Sequence, residues 1–293
     1  MTVFLNGKFV PEAQATVSVF DRSFLFGDGL FETMRVANGK PFRWTQHMER
    51  LEHGAEFLGI KVPFAREALA GFARELVSRN QLPDALLRLT LSRGVGVRGY
   101  SPKGADTPTL VMTLHPIGAP VSDPAGSERA GSETGTPIRW RARTASFRLP
   151  ANERLAQFKT CNKLAQILAR AEAEAANADE ALLLNTEGFV VEAASSNLFW
   201  IQSGAVCTPP LTSGILNGVT RGVICELCAK LNLPVREASL RPAELARVDA
   251  AFVSLSSHGI VPLSEVDGVK LSGSQITRQL QEAYVALIQM ECS

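Results

Sequence analysis

Two ionisable residues in the second half of the chain stand where nucleophilic or acid–base chemistry is possible. Lys159 lies in Gln157-Phe158-Lys159-Thr160-Cys161-Asn162, at the seam between an irregular stretch and an Ala-rich helix expected from about Asn162 to Ala176. Phe158 and Cys161 lower the local polarity, and a lysine withdrawn from water gives up its proton more readily, so it can serve as nucleophile or base. Taken alone, a lysine beside a helix is an exposed surface charge by the ordinary burial rule. Glu192 follows the apolar run Phe189-Val190-Val191 and precedes Ala193-Ala194-Ser195-Ser196. It is either a sheltered charge partner at a strand end or a solvated terminus. Ser213 to Arg221 runs from a glycine-bearing turn into a helix, whose first N–H groups and Thr220 hydroxyl suit a phosphate, or form a plain N-capped start. Ser256-Ser257-His258-Gly259 follows a strand through Val253 and adds two hydroxyl donors for the same phosphate, or makes a polar turn.

Gly94, Gly96 and Gly99 spell G-x-G-x-x-G after an expected strand, the spacing of a dinucleotide-binding turn. The context fails, because Ser101-Pro102-Lys103-Gly104 stands where the helix should open and no parallel strand returns. The glycines read instead as a flexible loop presenting Arg93, Arg98 and Tyr100, two fixed cations and a phenol, to an anionic small molecule. Cys225 and Cys228 form C-x-x-C on a helical stretch without a second pair or histidines, so they read as core thiols and no metal site is expected.

These residues need elements to hold them. Asn6-Gly7 and Asn38-Gly39 lie between apolar runs and predict hairpins. Thr45 is the expected N-cap of a helix carrying Met48, Leu51, Ala55 and Leu58, and a second helix follows Pro63. Strands follow at 85–92 and 108–115. From Pro116 to Pro137 large apolar side chains nearly vanish, which predicts residues 1–117 as a small N-terminal domain, 118–137 as an interdomain linker and 138–293 as a large domain. The large domain reads as strands at 138–145, 181–184, 188–191, 197–201 and 251–254, with helices after Asn162, Thr220 and Arg241 and a closing amphipathic helix from Gly273 to Met290. The class is α+β. A net charge of +1 on 293 residues, with 20% charged and 45% hydrophobic, gives no footing for nucleic acid or an anionic membrane. With five irregularly placed cysteines and no leader-like or membrane-spanning run, a cytoplasmic protein is the default expectation.

As an ordered set the motifs become specific. Phe26-Gly27-Asp28-Gly29-Leu30-Phe31-Glu32-Thr33-Met34-Arg35-Val36, then His47-Met48-Glu49-Arg50-Leu51, then Lys159, then Asp179 to Glu192, Asn197-Leu198-Phe199 and Gly214 to Arg221 resemble the class IV aminotransferases, the fold-type IV group of pyridoxal-5′-phosphate (PLP) enzymes. The group includes branched-chain and D-amino acid aminotransferases and 4-amino-4-deoxychorismate lyase, and the resemblance runs from Phe4 to about Leu263. It implies a smaller N-terminal α/β domain, a larger PLP-binding domain with a β-barrel-like core, a homodimer, and PLP between the domains. Carried over by residue, it implies that Lys159 is the Schiff-base lysine, Glu192 the acid on the pyridine nitrogen, and Arg50 the phosphate-binding arginine. Leu216 is then the residue under the ring, Val219 and Thr220 the backbone cradle, with Asn197, Ser256 and Ser257 beside the cofactor. Phe31, Arg35, Arg93, Arg98 and Tyr100 are the residues expected at the substrate.

Within the group the markers diverge. Ser92-Arg93-Gly94-Val95-Gly96-Val97-Arg98-Gly99-Tyr100-Ser101 is similar to the lyases, whereas Leu255-Ser256-Ser257-His258-Gly259-Ile260-Val261-Pro262 is closer to the aminotransferases. The expected activity is amino-group transfer between an amino acid or amine and a 2-oxoacid. The lyase reaction, releasing pyruvate and 4-aminobenzoate, is the alternative, and a catalytically silent scaffold stands behind both. A shared fold does not decide among them.

Overall fold

A computed structural model describes residues 1–117, 138–245 and 247–293. The expected linker at 118–137 lies outside the described residues. Two compact units emerge: one of residues 1–117 with Phe158–Lys163 and Ile288–Ser293, the other of residues 138–157 with Leu164–Leu287. Among the described residues, no helix is long and apolar enough to cross a membrane.

The first unit comprises β1 (Thr2–Leu5), β2 (Lys8–Pro11), α1 (Arg22–Phe26), β3 (Gly29–Ala37), β4 (Lys40–Pro41), α2 (Trp44–Leu58), α3 (Arg66–Asn80), β5 (Ala85–Ser92) and β6 (Thr109–Pro116). Its sheet has the order β2-β1-β6-β5-β3-β4, antiparallel throughout. Both expected hairpins form on left-handed Asn-Gly pairs, Asn6 and Gly7 at φ 48° and 88°, Asn38 and Gly39 at 48° and 77°, as a two-residue primed turn requires. Alternation in β5 divides the sheet's faces. Ala85, Leu87, Leu89 and Leu91 join Met48, Leu51, Leu69 and Leu76 of the two helices in one core, each fully buried leucine being worth roughly 1.5–3 kcal/mol. Leu86, Arg88 and Thr90 point the other way and stay partly exposed.

Two local expectations shift. The N-cap of α2 is Arg43 at φ 57°, so Thr45 lies inside the first turn; the chain leaves β4 at Pro41 and reverses through Arg43, whose guanidinium meets Glu291 at 3.0 Å. Lys159 does not head the long helix, which begins five residues later.

The second unit comprises β7 (Trp140–Leu149), α4 (Leu164–Ala175), β8 (Glu180–Asn185), β9 (Val190–Ala193), β10 (Asn197–Gln202), β11 (Ala205–Thr208), α5 (Val219–Lys230), β12 (Val235–Glu237), α6 (Pro242–Leu245), β13 (Ala250–Leu255), β14 (Gly259–Val266) and β15 (Val269–Lys270). The last helix, α7 (Gln275–Cys292), ends in residues grouped with the first unit. β10, β13, β14, β7, β8 and β9 pair in turn, and β9 pairs back to β10 through Glu192 and Asn197, which closes a six-stranded barrel. Parallel β7 and β8 demand a crossover, and α4 supplies it. One face of these strands gathers Leu182, Leu184, Val190, Leu198, Trp200, Val253, Val261 and Leu263. The other packs Ala181 and Leu183 with Ala169 and Ala173 of α4 and carries the stacked pair Phe199 and Phe252.

Candidate active site

Lys159 owes its position to β3. Phe31 N–H donates to the Lys159 carbonyl at 2.9 Å, and Cys161 N–H donates to the Gly29 carbonyl at 2.8 Å, so residues 159–161 run beside the strand as a short antiparallel bridge. That pairing fixes the lysine beside the strand, ahead of the helix. Its Nζ lies 4.7 Å from the centroid of the Phe31 ring. The guanidinium of Arg88 lies over the same ring at 3.9 Å, and burial lowers its proton affinity against the opposing influence of Cys161. Arg88 faces Thr33 across the β3–β5 ladder, on the sheet face opposite the core.

The next residue of β3 turns into the core and carries a charge. Glu32 is fully buried and accepts two hydrogen bonds from Arg50, from Nε at 2.8 Å and Nη2 at 2.6 Å. His47 Nδ1 lies 2.7 Å from the same carboxylate. Burial opposes ionisation of Glu32, but the Arg50 charge and the His47 and Arg50 hydrogen bonds outweigh it and hold the carboxyl at about 2. Burial pulls His47 below the usual imidazole range despite its bond to Glu32. The ring is thus neutral at pH 7, with its Nδ1–H donating. Arg50 is thereby clamped bidentately at a fixed point on α2.

The substrate-directed residues separate. Arg93 is buried, paired with Asp28 through Nε (2.8 Å) and Nη2 (3.0 Å), and donates to the Leu58 and Gly59 carbonyls at the end of α2. Burial raises the Asp28 carboxyl, and the bonds and charges of Arg93 and Arg22 override it, leaving it below the usual range. Arg98 and Tyr100 are exposed on the loop beyond β5. Arg35 shares the Arg88 face of the sheet, 3.8 Å from Asp84, and its Nε is buried without a hydrogen-bond partner among the described residues.

In the second unit, the pair that closes the barrel grips the backbone of one residue on both sides. Glu192 Oε2 accepts the Leu216 N–H at 3.0 Å, and Asn197 Nδ2 donates to the Leu216 carbonyl at 2.9 Å. Gly218 follows, where a Cβ would stand 2.0 Å from Asn197 Oδ1. Only glycine lets the chain pass. Gly218 is also the N-cap of α5, and no side chain caps that helix, so the first N–H groups at Val219 and Thr220 keep their capacity for an anion. Across β10, Ser254 pairs in register with Asn197, and its buried hydroxyl has no hydrogen-bond partner among the described residues. An uncapped twelve-residue helix and an orphaned hydroxyl fit a phosphorylated ligand. Ser256 is half-buried, and Ser257 Oγ lies 2.9 Å from His258 Nδ1. The turn from Glu192 to Asn197 is itself pinned by fully buried Glu180, which accepts from Ser195 at 2.7 Å and Ser196 at 3.2 Å.

Glu32, His47 and Arg88 were not among the residues singled out by sequence. A signal existed: Arg88 is the one charge in β5, and Glu32 stands among apolar residues that alternate toward the core in β3, and a charge so placed demands a partner. Cys225 and Cys228 are free: Cys228 is buried and pushed up to about 12 by that burial, as a core thiol should be, whereas Cys225 is half-buried. Among the described residues no group of three or more metal-ligating side chains gathers.

The amino-transferase class IV family model matches residues 29–266. A Methanocaldococcus jannaschii protein carrying a provisional branched-chain-amino-acid aminotransferase name is 36% identical over 97% of this chain and 95% of its own length. A Staphylococcus aureus D-alanine aminotransferase is 33% identical over 98% of both. The branched-chain aminotransferase of Thermoproteus uzoniensis superposes with a TM-score of 0.87 at 31% identity, covering 98% of this chain and 94% of that one. The barrel, the ordered motifs and these matches lead to one conclusion: the chain belongs to the class IV aminotransferases, a family of PLP-dependent transaminases.

Proposed function

We propose that this transaminase moves an amino group between an amino acid and a 2-oxoacid on PLP held by Lys159, Arg50, Glu192 and the Leu216–Thr220 segment. Bound there, PLP supplies an electron-withdrawing ring that stabilises the charge left by a departing α-proton. Lys159 would hold the cofactor through Nζ, and the same amine would take up and return the substrate's α-proton. Glu192, fixed through one oxygen on Leu216 N–H, keeps the pyridine nitrogen protonated by direct charge pairing. The α5 start and the Ser256 and Ser257 hydroxyls take the phosphate together with Arg50, which Glu32 holds at a set angle. A cation must meet the carboxylate that donor and acceptor share. Arg98 and Arg35 are the first candidates, joined by Arg88.

The observation that carries this reading is the Phe31 ring, which bears the Lys159 amine and the Arg88 guanidinium at 4.7 and 3.9 Å. A proton-moving amine and a carboxylate-binding cation then share one ring, carried on a rigid strand. The relatives are named for branched-chain amino acids and for D-alanine, so small aliphatic amino acids of both hands are the donors to try first. We also infer a homodimer, supported by exposed apolar side chains on α1 and α4.

The test is a single turnover without acceptor. A donor from a panel of L- and D-amino acids and amines should bleach the visible band of the yellow holoenzyme, and a 2-oxoacid should restore it. If no donor bleaches it and aminodeoxychorismate yields pyruvate and 4-aminobenzoate, the lyase reading replaces this one. Protein that stays colourless with added PLP leaves only a silent scaffold.

A further inference from the structure

The G-x-G-x-x-G stretch wraps around one residue, Arg22. Arg22, the first residue of α1, is only 4% exposed although it carries a fixed charge. Its backbone N–H donates to the Gly94 carbonyl at 2.9 Å. Gly96 leaves room for its stem, since a Cβ there would stand 3.1 Å from Arg22 Cδ and 3.0 Å from Ala105 Cβ. Gly99, at φ 102°, turns the chain in a conformation that side-chain-bearing residues rarely adopt. The guanidinium then donates from Nη1 to the Gly99 and Ser101 carbonyls at 3.0 and 3.1 Å, and from Nη2 to the Tyr100 carbonyl at 3.1 Å. Three successive carbonyls of one loop converge on one cation.

The cation is itself anchored. Nε of Arg22 donates to Asp28 at 2.8 Å, and the same carboxylate takes Arg93, whose remaining donors close the last carbonyls of α2. The loop is therefore referenced to the helix that carries His47 and Arg50. This glycine-rich stretch leaves Val95, Val97 and Tyr100 exposed, so it has little buried apolar contact with which to order itself. A buried planar fork with each of its three nitrogens engaged supplies that order, which a lysine's point charge cannot reproduce.

We propose that Arg22 is a positioning residue for substrate binding: it fixes the backbone of Gly99–Ser101 so that Arg98 and Tyr100 are held where they meet the substrate carboxylate. The proposal rests on the reading of Arg98 as the carboxylate clamp. Arg22 touches neither substrate nor cofactor in this scheme. Its loss should weaken binding of donor and acceptor alike while leaving the proton transfer at Lys159 intact, which raises KM and spares kcat.

Two variants test it on the holoenzyme. Arg22→Lys keeps a charge beside Asp28 and gives up the fork, and Gly96→Ala crowds the Arg22 stem while keeping every donor; should the first fail to fold, the second carries the experiment. Native trypsin cleavage after Lys103 reports loop order independently of turnover. Cleavage should accelerate about tenfold, KM for donor and acceptor should rise about tenfold, and kcat should stay within about threefold, the pattern of lost uniform binding. Unchanged cleavage overturns the proposal. So does a loosened loop with unchanged KM when Arg98→Ala, run alongside, raises KM. If neither Arg98→Ala nor the Arg22 variant moves KM, the Arg98 reading has failed and the positioning role falls with it, although the clamp on the loop stands.

Discussion

At the scale of single residues, the cluster of Glu32, His47 and Arg50 sets the most exacting conditions. Glu32 is buried with an ionised carboxylate, tolerable only because Arg50 returns two charge-assisted bonds and His47 a third. Glu32→Gln leaves Arg50 charged and half-buried without the carboxylate that pairs with it through two bonds. Breaking such a pair costs about 3–5 kcal/mol of stability, and PLP affinity should fall at least about tenfold, the equivalent of roughly 1.4 kcal/mol. Equilibrium titration of apoenzyme with PLP and urea unfolding measure the two losses, and an unaltered PLP affinity would separate Glu32 from Arg50's task. The pH dependence has a fixed sign. Glu32's folded value of about 2 lies below its unfolded one near 4.5, so its contribution is complete above the unfolded value and is lost as pH falls through the folded one. His47 is also lowered, so the unfolded chain takes up a proton below about 6.5 that the folded chain refuses. Both make stability fall with acidification. Wild-type and Glu32→Gln unfolding midpoints should therefore draw together as pH falls from about 4.5 toward about 2, and parallel curves would show that the Glu32 shift does not exist. Lys159 has a simpler test: borohydride should fix the cofactor on the peptide containing Lys159, and a label at Lys163 would relocate the chemistry.

At the scale of elements, the hairpins and the long helices were legible because Asn-Gly pairs and periodic apolar residues act locally. The five-residue α1 was not, since Phe24, Leu25 and Phe26 leave it exposed and its stop and start depend on Asp21 and Gly27. Neither was the bridge that holds Lys159, whose partners on β3 are about 130 residues away in sequence. The roles of Glu192 and Asn197 could be suggested by resemblance, but their joint grip on Leu216 depends on barrel closure, a pairing no local pattern encodes. Gly218 is the point at which that grip can be probed. A methyl group there would meet Asn197 Oδ1 at 2.0 Å and Arg221 Cβ at 3.4 Å. Gly218→Ala must therefore displace the amide or the start of α5. Because the backbone N–H groups of that start are the proposed phosphate cradle, PLP affinity should drop about tenfold or more while Lys159 chemistry persists in the fraction that binds. Fluorescence titration with PLP decides it. A dissociation constant within about twofold of wild type, under 0.5 kcal/mol, would remove the cradle from the phosphate site.

At the scale of the whole molecule, the exposed apolar side chains are the feature that a lone chain does not explain. On α4, Ala169 and Ala173 face inward, while Leu164 and Ile167 are 62% and 61% exposed and Leu168 lies beside them. That is an apolar stripe at helical spacing on the outer side. On α1, Phe24 is 70% exposed. Each such side chain left in water forgoes the roughly 1.5–3 kcal/mol that burial returns, and contiguous apolar surface on a soluble chain marks an interaction site. A second copy is the occupant the family resemblance implies, and a two-fold interface needs only that the same patch meet itself. The sequence could not single out these positions, because leucine and isoleucine on an amphipathic helix read as core until the inward face is seen to be alanine. The α4 stripe can be broken without touching any proposed cofactor ligand. Leu164→Glu with Ile167→Glu would place two carboxylates where two apolar surfaces should meet, at a cost well above the few kcal/mol that separate dimer from monomer at micromolar concentration. Light scattering behind size-exclusion chromatography should give a dimer for the wild type and a monomer of unchanged helix content for the double variant. A wild type that is monomeric at tens of micromolar, or a double variant that stays dimeric, would move the interface away from α4.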